Sequence, residues 1–437
     1  EFIMSENNTA MSAEKPASAP AFGSDVKRLP LKDLLKRIGP GLIATGIVIG
    51  PGAVTTASMI GANYGYDLMW LFFPIIFMGI TFMMVTNRLA IVTGMPTIHA
   101  IRKYYGPVAS GVVGCAIFLS CMFFTMGNIS GTGAGMNLIF GIDWKIGSAI
   151  MIAVVVYMYF AKNVYSKVEK IITLCIVLMI VAFYATLVGV GGPEPQGLAK
   201  GLFGFKVPEG SLSTALAFIS TNAAVTAGIY GTYLGKEKKW KKDDLFNGVM
   251  LTDAITHIVS VSLISGAIVL VGAVVLHPQG LSIKAPAQLA EMLVPIMGGS
   301  ARYIMGLALL GAGFSSLLAN TQRGMVLLGA GLDKDVSLES KFIRIGCLVC
   351  LAFAMVVCYS YGGSPTQLIL IANIATSVAT PFGGLFMLLM IWRDDLSEGY
   401  KKPTGLRICM TISYIFAVIM TISGLSTQIP KLLALFH

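Results

Sequence analysis

The residues whose types and spacing could do chemistry in this chain sit inside apolar sequence. Gly50-Pro51-Gly52-Ala53 falls midway along the run from Ile38 to Ala62, which is long enough to cross a hydrocarbon core of about 30 Å as a helix. A proline inside a helix deletes a donor and clashes one turn back, and each glycine costs about 1 kcal/mol against alanine. Backbone groups freed by such a break must lie in protein or line a polar cavity, since lipid offers them no partner. The stretch is therefore either a binding site or a packed kink. A second interruption is Ser220-Thr221-Asn222-Ala223-Ala224-Val225-Thr226-Ala227-Gly228, polar and small residues at the middle of another apolar span. Asn373, Thr376, Ser377 and Thr380-Pro381 form a polar stripe at a depth where it could complete a site. Carbonyls, amides and hydroxyls of this kind bind an ion or a solute. No nucleophile–base pair, phosphate loop or metal-ligand cluster accompanies them, so an enzyme is not expected.

The other polar residues in apolar sequence carry less. Asp253 and His257 are spaced i,i+4 and could face each other on one helix. Ionisable residues inside a membrane helix are functional candidates by default, yet Asp253 lies only two turns from a basic loop, so an interfacial or packing pair is equally open. Arg323 is expected to snorkel or pair, and Glu291 could add charge along a permeation path. His99, His277 and His437 lie in loops or at the chain end and are assigned nothing. Thr125, Gly127, Asn128, Ser130, Gly131, Thr132, Gly133, Gly135 and Asn137 give one span a face of small and polar residues, best read as a close-packing face. The seven cysteines all lie within or beside apolar spans. Cys347 and Cys350 have the CxxC spacing but no matching pair, and neither a zinc site nor a disulfide is expected. The 24 methionines read as packing residues.

The elements that must position these groups are membrane helices. A mean hydropathy of +0.79, with 55% hydrophobic and 12% charged residues over 437 positions, describes a polytopic membrane protein. Eleven apolar spans are read, beginning near Ile38, Leu68, Val108, Ile146, Val168, Leu212, Phe246, Tyr303, Phe342, Thr366 and Leu406. The net charge of +10 could suggest nucleic acid, but a cytoplasmic N-terminus puts most of the 31 Lys and Arg on the inner side, as the positive-inside rule asks. The run Lys236-Glu237-Lys238-Lys239-Trp240-Lys241-Lys242 then belongs beside anionic headgroups, and no nucleic-acid partner is expected. Residues 1–26 read as a disordered tail, with Glu1-Phe2-Ile3 ahead of Met4 as a cloning scar and no cleavable signal peptide. Residues 27–437 read as one transmembrane domain, with helices 1–5 at about 38–190, helices 6–10 at about 211–393 and helix 11 at about 405–426. If the first ten are two inverted halves, spans one and six are equivalent. Interrupted helices at matching places in two halves are the best sequence pointer to a transporter's midplane site.

Arg37-Ile38-Gly39-Pro40-Gly41, Gly50-Pro51-Gly52-Ala53 and Tyr64-Gly65-Tyr66-Asp67-Leu68-Met69-Trp70 resemble the first helices of the Nramp (natural resistance-associated macrophage protein) divalent-metal transporters. So do Gly204-Phe205-Lys206-Val207-Pro208, Gly313-Phe314-Ser315-Ser316 and Pro381-Phe382, and the similarity runs from about Arg37 to Ser426. The resemblance implies an all-α, LeuT-like fold: two inverted five-helix repeats with broken helices 1 and 6, plus an eleventh helix. It also implies a metal held between the two breaks. The chain departs from the family where the metal binds. The family's Asp-Pro-Gly-Asn has Gly50 and Ala53 in place of its acid and amide, and the family's Met-Pro-His falls within Ala223–Ala227, where none of the three occurs. Acids associated with proton movement align with Thr125 and Asn128, and a metal-contacting glutamine aligns with Asn373. The pattern resembles the Nramp-related magnesium transporters.

The metal-site residues expected on this basis are Gly50, Ala53, Asn222, Ala223, Ala224, Thr226 and Asn373, acting through carbonyls, amides and hydroxyls on an ion's water shell. Thioethers favour later transition metals, whereas magnesium prefers oxygen and gives up water reluctantly. The expected activity is secondary-type uptake of largely hydrated Mg2+, with Mn2+ also carried and Ca2+ not, driven by concentration and membrane potential without protons. No cofactor is expected, and the partners are the divalent ion and the bilayer of the cell membrane, around a monomer. The alternatives are a proton-coupled Mn2+/Fe2+ transporter and an amino-acid or other organic-solute carrier on the same fold. A non-transporting sensor would need an added soluble domain, and no segment is long enough for one.

Overall fold

In lipid a backbone group must find its partner within its own segment, and a chain this apolar answers with helices. The computed structural model describes residues 22–23, 25–37, 45, 48–160, 174, 177, 180–234, 240–283, 286–361 and 365–433. Nearly all of the expected tail, the opening of the first span, the loop Lys162–Lys170 and most of the run Lys236–Lys242 lie outside these residues.

Thirteen helices are named here: α1 (Pro51–Tyr64), α2 (Phe72–Thr93), α3 (Thr97–Phe140), α4 (Trp144–Phe160), α5 (Ile180–Gly189), α6 (Leu212–Asn222), α7 (Val225–Leu234), α8 (Val249–Val271), α9 (Ala301–Gly331), α10 (Lys341–Ser360), α11 (Pro365–Ala375), α12 (Ala379–Trp392) and α13 (Thr404–Leu433). Among the described residues, 8 continuous or near-continuous helices are long and apolar enough to cross a membrane, and α4 and α5 are shorter apolar helices. With α1 these occupy the eleven positions read from the sequence. The opening of α3 is set off from its long body at Gly106, whose φ of 89° turns the chain just ahead of Pro107.

The core of the bundle is α9 laid along α3, the most extensive helix pairing among the described residues. Glycines allow it. A Cβ on Gly114 would lie 2.9 Å from the Leu327 carbonyl, and one on Gly135 would lie 2.8 Å from that of Gly306. Between these crossings Gly131 and Gly313 face Pro51, so α1 starts wedged between α3 and α9. The face of small residues read from the third span is thus a packing face. Around it, α1 also packs on α6, α8 and α11.

Ion pairs lie at both ends of the bundle. At one, Arg37 meets buried Asp244 at 2.5 Å, Arg88 reaches the Lys401 carbonyl, and Arg407 bonds Asp394. The Arg407 hydrogen bond and the charge of Lys402 hold the Asp394 carboxyl below the usual carboxylate range. At the other end Lys206 pairs with Asp67, and the Trp70 indole donates to the Lys206 carbonyl.

Candidate functional site

The first span breaks one step earlier than its proline suggests. The Ile49 amide still closes a helical turn on Thr45, but Gly50 is extended (φ −106°, ψ −178°) and its amide bonds the Val48 carbonyl. Pro51 is then the first residue of α1, where its missing N–H is harmless and its φ suits the new helix. The expected interruption at Gly50–Ala53 is therefore centred on Ile49–Gly50, and Ala53 lies buried within the first turn of α1. The sixth span breaks at Ala223 and Ala224: Ala223 leaves helical geometry (φ −118°, ψ 45°) and α7 begins at Val225. Both interruptions read from the sequence are present.

Neutral amides and hydroxyls surround the first break. A Cβ on Gly50 would stand 2.8 Å from both Asn128 Oδ1 on α3 and Ser316 Oγ on α9. A Cβ on Gly52 would stand 2.4 Å from Asn373 Oδ1 on α11. Asn128 and Asn373 are each 1% exposed. Asn128 Nδ2 and both polar atoms of the Asn373 amide have no hydrogen-bond partner among the described residues. Leaving such a group buried and unpaired costs about 1–3 kcal/mol, which a water, or an ion arriving with its waters, would remove. A polar guest at the first break would satisfy these amides.

Beside this ring a cavity opens between the two breaks, bounded by Val48 before the first and by Ala224 and Thr226 at the second, with Arg323, Thr376 and Thr380. It holds about 350 Å³ of empty space, mouth included. Its enclosed part has room for one or two waters, so an ion with six waters fits only with its shell extending into the mouth. Asn373 joins the two regions, because its carbonyl accepts hydrogen bonds from Ser220 and Thr376 on the cavity wall.

Of the residues expected from the sequence, Gly50 forms the first break, Asn373 stands against the neighbouring Gly52, and Ala224 and Thr226 line the cavity. Ala223 caps α6 and is buried. Asn222 is committed elsewhere: its Nδ2 donates to the Phe218 carbonyl and its Oδ1 accepts from Ser265 at 2.6 Å, tying the end of α6 to α8. Asp253 and His257 are both buried, and His257 Nδ1 bonds Thr45 just before the first break. The expectation for Arg323 is corrected. It is only 4% exposed, and no carboxylate pairs with it among the described residues. Its Nε points at Cys121 Sγ, 3.4 Å away, and Nη1 has no partner. Ser316 was missed as a site residue, although it closes the Gly313-Phe314-Ser315-Ser316 stretch that carries part of the resemblance. A lone arginine in an apolar span was the available signal for Arg323.

Comparisons with known proteins bear on the family and the fold. The family model described as "Natural resistance-associated macrophage protein-like" matches residues 41–427. A protein named divalent metal cation transporter MntH from Mesorhizobium japonicum is 25% identical over 362 residues, covering 79% of this chain and 78% of that one. The protein of that name from Burkholderia ambifaria is 22% identical over 417 residues, covering 91% and 90%. In fold, a mutant of the Eremococcus coleocola manganese transporter superposes with a TM-score of 0.72 at 16% identity, covering 94% of this chain and 92% of that one. MhsT in complex with L-phenylalanine superposes with a TM-score of 0.57 at 17% identity, covering 87% and 98%.

Proposed function

The chain belongs to the Nramp family, and from that premise we propose that it carries divalent metal ions across a membrane, with largely hydrated Mg2+ as the favoured substrate and Mn2+ carried less selectively. Relatives across most of its length bear the name divalent metal cation transporter, which supports the ion class. The observation that carries the choice of ion is the ring around the first break. Asn128, Ser316 and Asn373 offer uncharged oxygen and amide groups, two of them with unsatisfied polar atoms, where the family places an acid and an amide on the helix itself. Such groups can hold the waters of an ion without replacing them. Mg2+ dehydrates reluctantly and tolerates outer-shell binding, whereas Mn2+ gains most from direct carboxylate, imidazole or softer ligands. With no side-chain charge offered to the ion, affinity is low, as suits an abundant substrate.

Uptake runs down the concentration gradient and the membrane potential, without protons, because neutral Thr125 and Asn128 stand where the family's proton-linked acids align. The end of the bundle that gathers Arg37, Arg88, Arg393 and Arg407 is the cytoplasmic one, following the positive-inside rule. The protein works as a monomer in the cell membrane. Flux of Mg2+, Mn2+ and Ca2+ into proteoliposomes, with internal pH followed by a trapped dye, tests the whole reading. Mg2+ should enter, micromolar Mn2+ should leave that entry intact, Ca2+ should stay out, and the lumen should not acidify. Acidification in fixed ratio to Mg2+ entry overturns the uncoupled reading. Abolition of Mg2+ entry by micromolar Mn2+ overturns the preference for the hydrated ion.

A further inference from the structure

The cavity between the two breaks has the wrong sign for a bare cation and the right sign for an anion. Arg323 brings a guanidinium, a fork of five N–H donors with no acceptor, buried to 4% exposure with Nη1 unpartnered among the described residues. Among the described residues its hydrogen bond is to the thiol sulfur of Cys121, a weak acceptor. The start of α7 contributes again in the same sense. Ala224, Val225 and Thr226 line the cavity, so the positive end of a ten-residue helix, with backbone N–H groups that lack helical partners, faces the same space as the arginine.

The hydroxyls sort in the same way. Ser120, Ser220 and Thr376 each donate to a carbonyl, of Thr376 or Asn373. Those of Thr226 and Thr380 bond no described residue and remain as donors to a guest. Among the described residues no carboxylate lines the cavity. A charge buried this way is costly unless a counter-ion meets it.

We propose that a small monovalent anion, chloride by size, binds in this cavity against Arg323, the first turn of α7 and the hydroxyls of Thr226 and Thr380. The enclosed part of the cavity takes one or two waters, which admits a halide or formate and leaves no room for an amino acid. The bound anion is a resident counter-charge. It offsets Arg323 beside the amide ring, reached through Asn373, so that a divalent ion can approach. The site stands on its own geometry, and only the flux measurement below rests on the transport reading.

The experiment uses the purified full chain with chloride exchanged for gluconate at constant ionic strength, first without any divalent ion. The thermal midpoint of the wild type should rise saturably with chloride, bromide and formate. Arg323→Gln should abolish the rise. Thr226→Val with Thr380→Val should raise the half-saturating chloride by about tenfold, the size of a lost hydrogen bond to a charge. Crystals grown in bromide should show an anomalous peak beside the guanidinium, a readout that does not depend on any variant folding. In proteoliposomes Mg2+ entry should fall when chloride is replaced by gluconate. Equal midpoints in chloride and gluconate, an undiminished rise in Arg323→Gln, or bromide absent from the cavity overturns the anion site. Stabilisation by glutamate in place of chloride overturns the halide and assigns an organic carboxylate instead. Chloride stabilisation with Mg2+ never transported leaves the anion site standing and removes the transport reading.

Discussion

At the scale of single residues, the proposed site depends on how closely a glycine at the start of α1 approaches an amide of α11. Gly52 presents its Cα to Asn373, and a methyl there would lie 2.4 Å from Oδ1 and 2.7 Å from Nδ2. Gly52→Ala must therefore push the Asn373 amide off the first break. The helix itself gains about 1 kcal/mol of propensity, so the thermal midpoint should move little while Mg2+ flux drops at least about tenfold, a change near 1.4 kcal/mol. Loss of flux with large destabilisation would mean instead that Gly52 serves packing alone. Asn373→Asp runs the other way. It puts a carboxylate where the amide has no partner among the described residues, and a hard anionic oxygen favours inner-shell binding of a divalent ion. Mn2+ should then compete with Mg2+ uptake about tenfold more strongly than in the wild type. Unchanged competition would place the ion away from Asn373.

At the scale of helices, the close crossing of α3 and α9 sets where everything else sits. The Gly135 Cα meets the backbone of Gly306, and a Cβ there would have to displace a carbonyl, which cannot swing aside. The Gly127 position faces the Ala372 methyl at an ordinary 3.4 Å. Gly135→Ala should thus cost about 1–3 kcal/mol, the range for overpacking, whereas Gly127→Ala should be close to neutral, as thermal unfolding of the two variants would report. Equal midpoints would mean the crossing is looser than the glycine contacts imply. This face was legible in the sequence, since small residues recur along one span. Both breaks were legible too, because Gly-Pro-Gly and a polar, small-residue cluster cannot continue a helix unnoticed in apolar surroundings. What could not be read is how each helix is rotated. Whether Asn222 faces the ion path or α8 depends on Ser265, on another span. Whether Arg323 turns toward the headgroups or the cavity depends on α3, where Cys121 meets it and packs against Gly324. Those choices are made by partners far along the chain, and no local pattern records them.

At the scale of the whole molecule, the question is what drives the ion. Two positive charges crossing the full membrane field gain about 4.6 kcal/mol per 100 mV, at about 2.3 per charge. That drive suffices for uptake of an abundant ion without a proton, and it makes a quantitative demand. If each cycle moves one Mg2+ and nothing else, the reversal potential in proteoliposomes must shift by about 30 mV per tenfold Mg2+ gradient, the two-charge value. The shift must also be indifferent to a pH gradient. A proton moving with each ion would make the potential follow pH as well as Mg2+, and an antiported proton would steepen the Mg2+ dependence toward the single-charge value of about 59 mV. A resident anion at Arg323 leaves the slope at two charges, because it compensates the site without leaving it. Measuring the slope with valinomycin-clamped vesicles, at equal and unequal pH, therefore separates an uncoupled divalent carrier from each coupled alternative by the number of charges that cross.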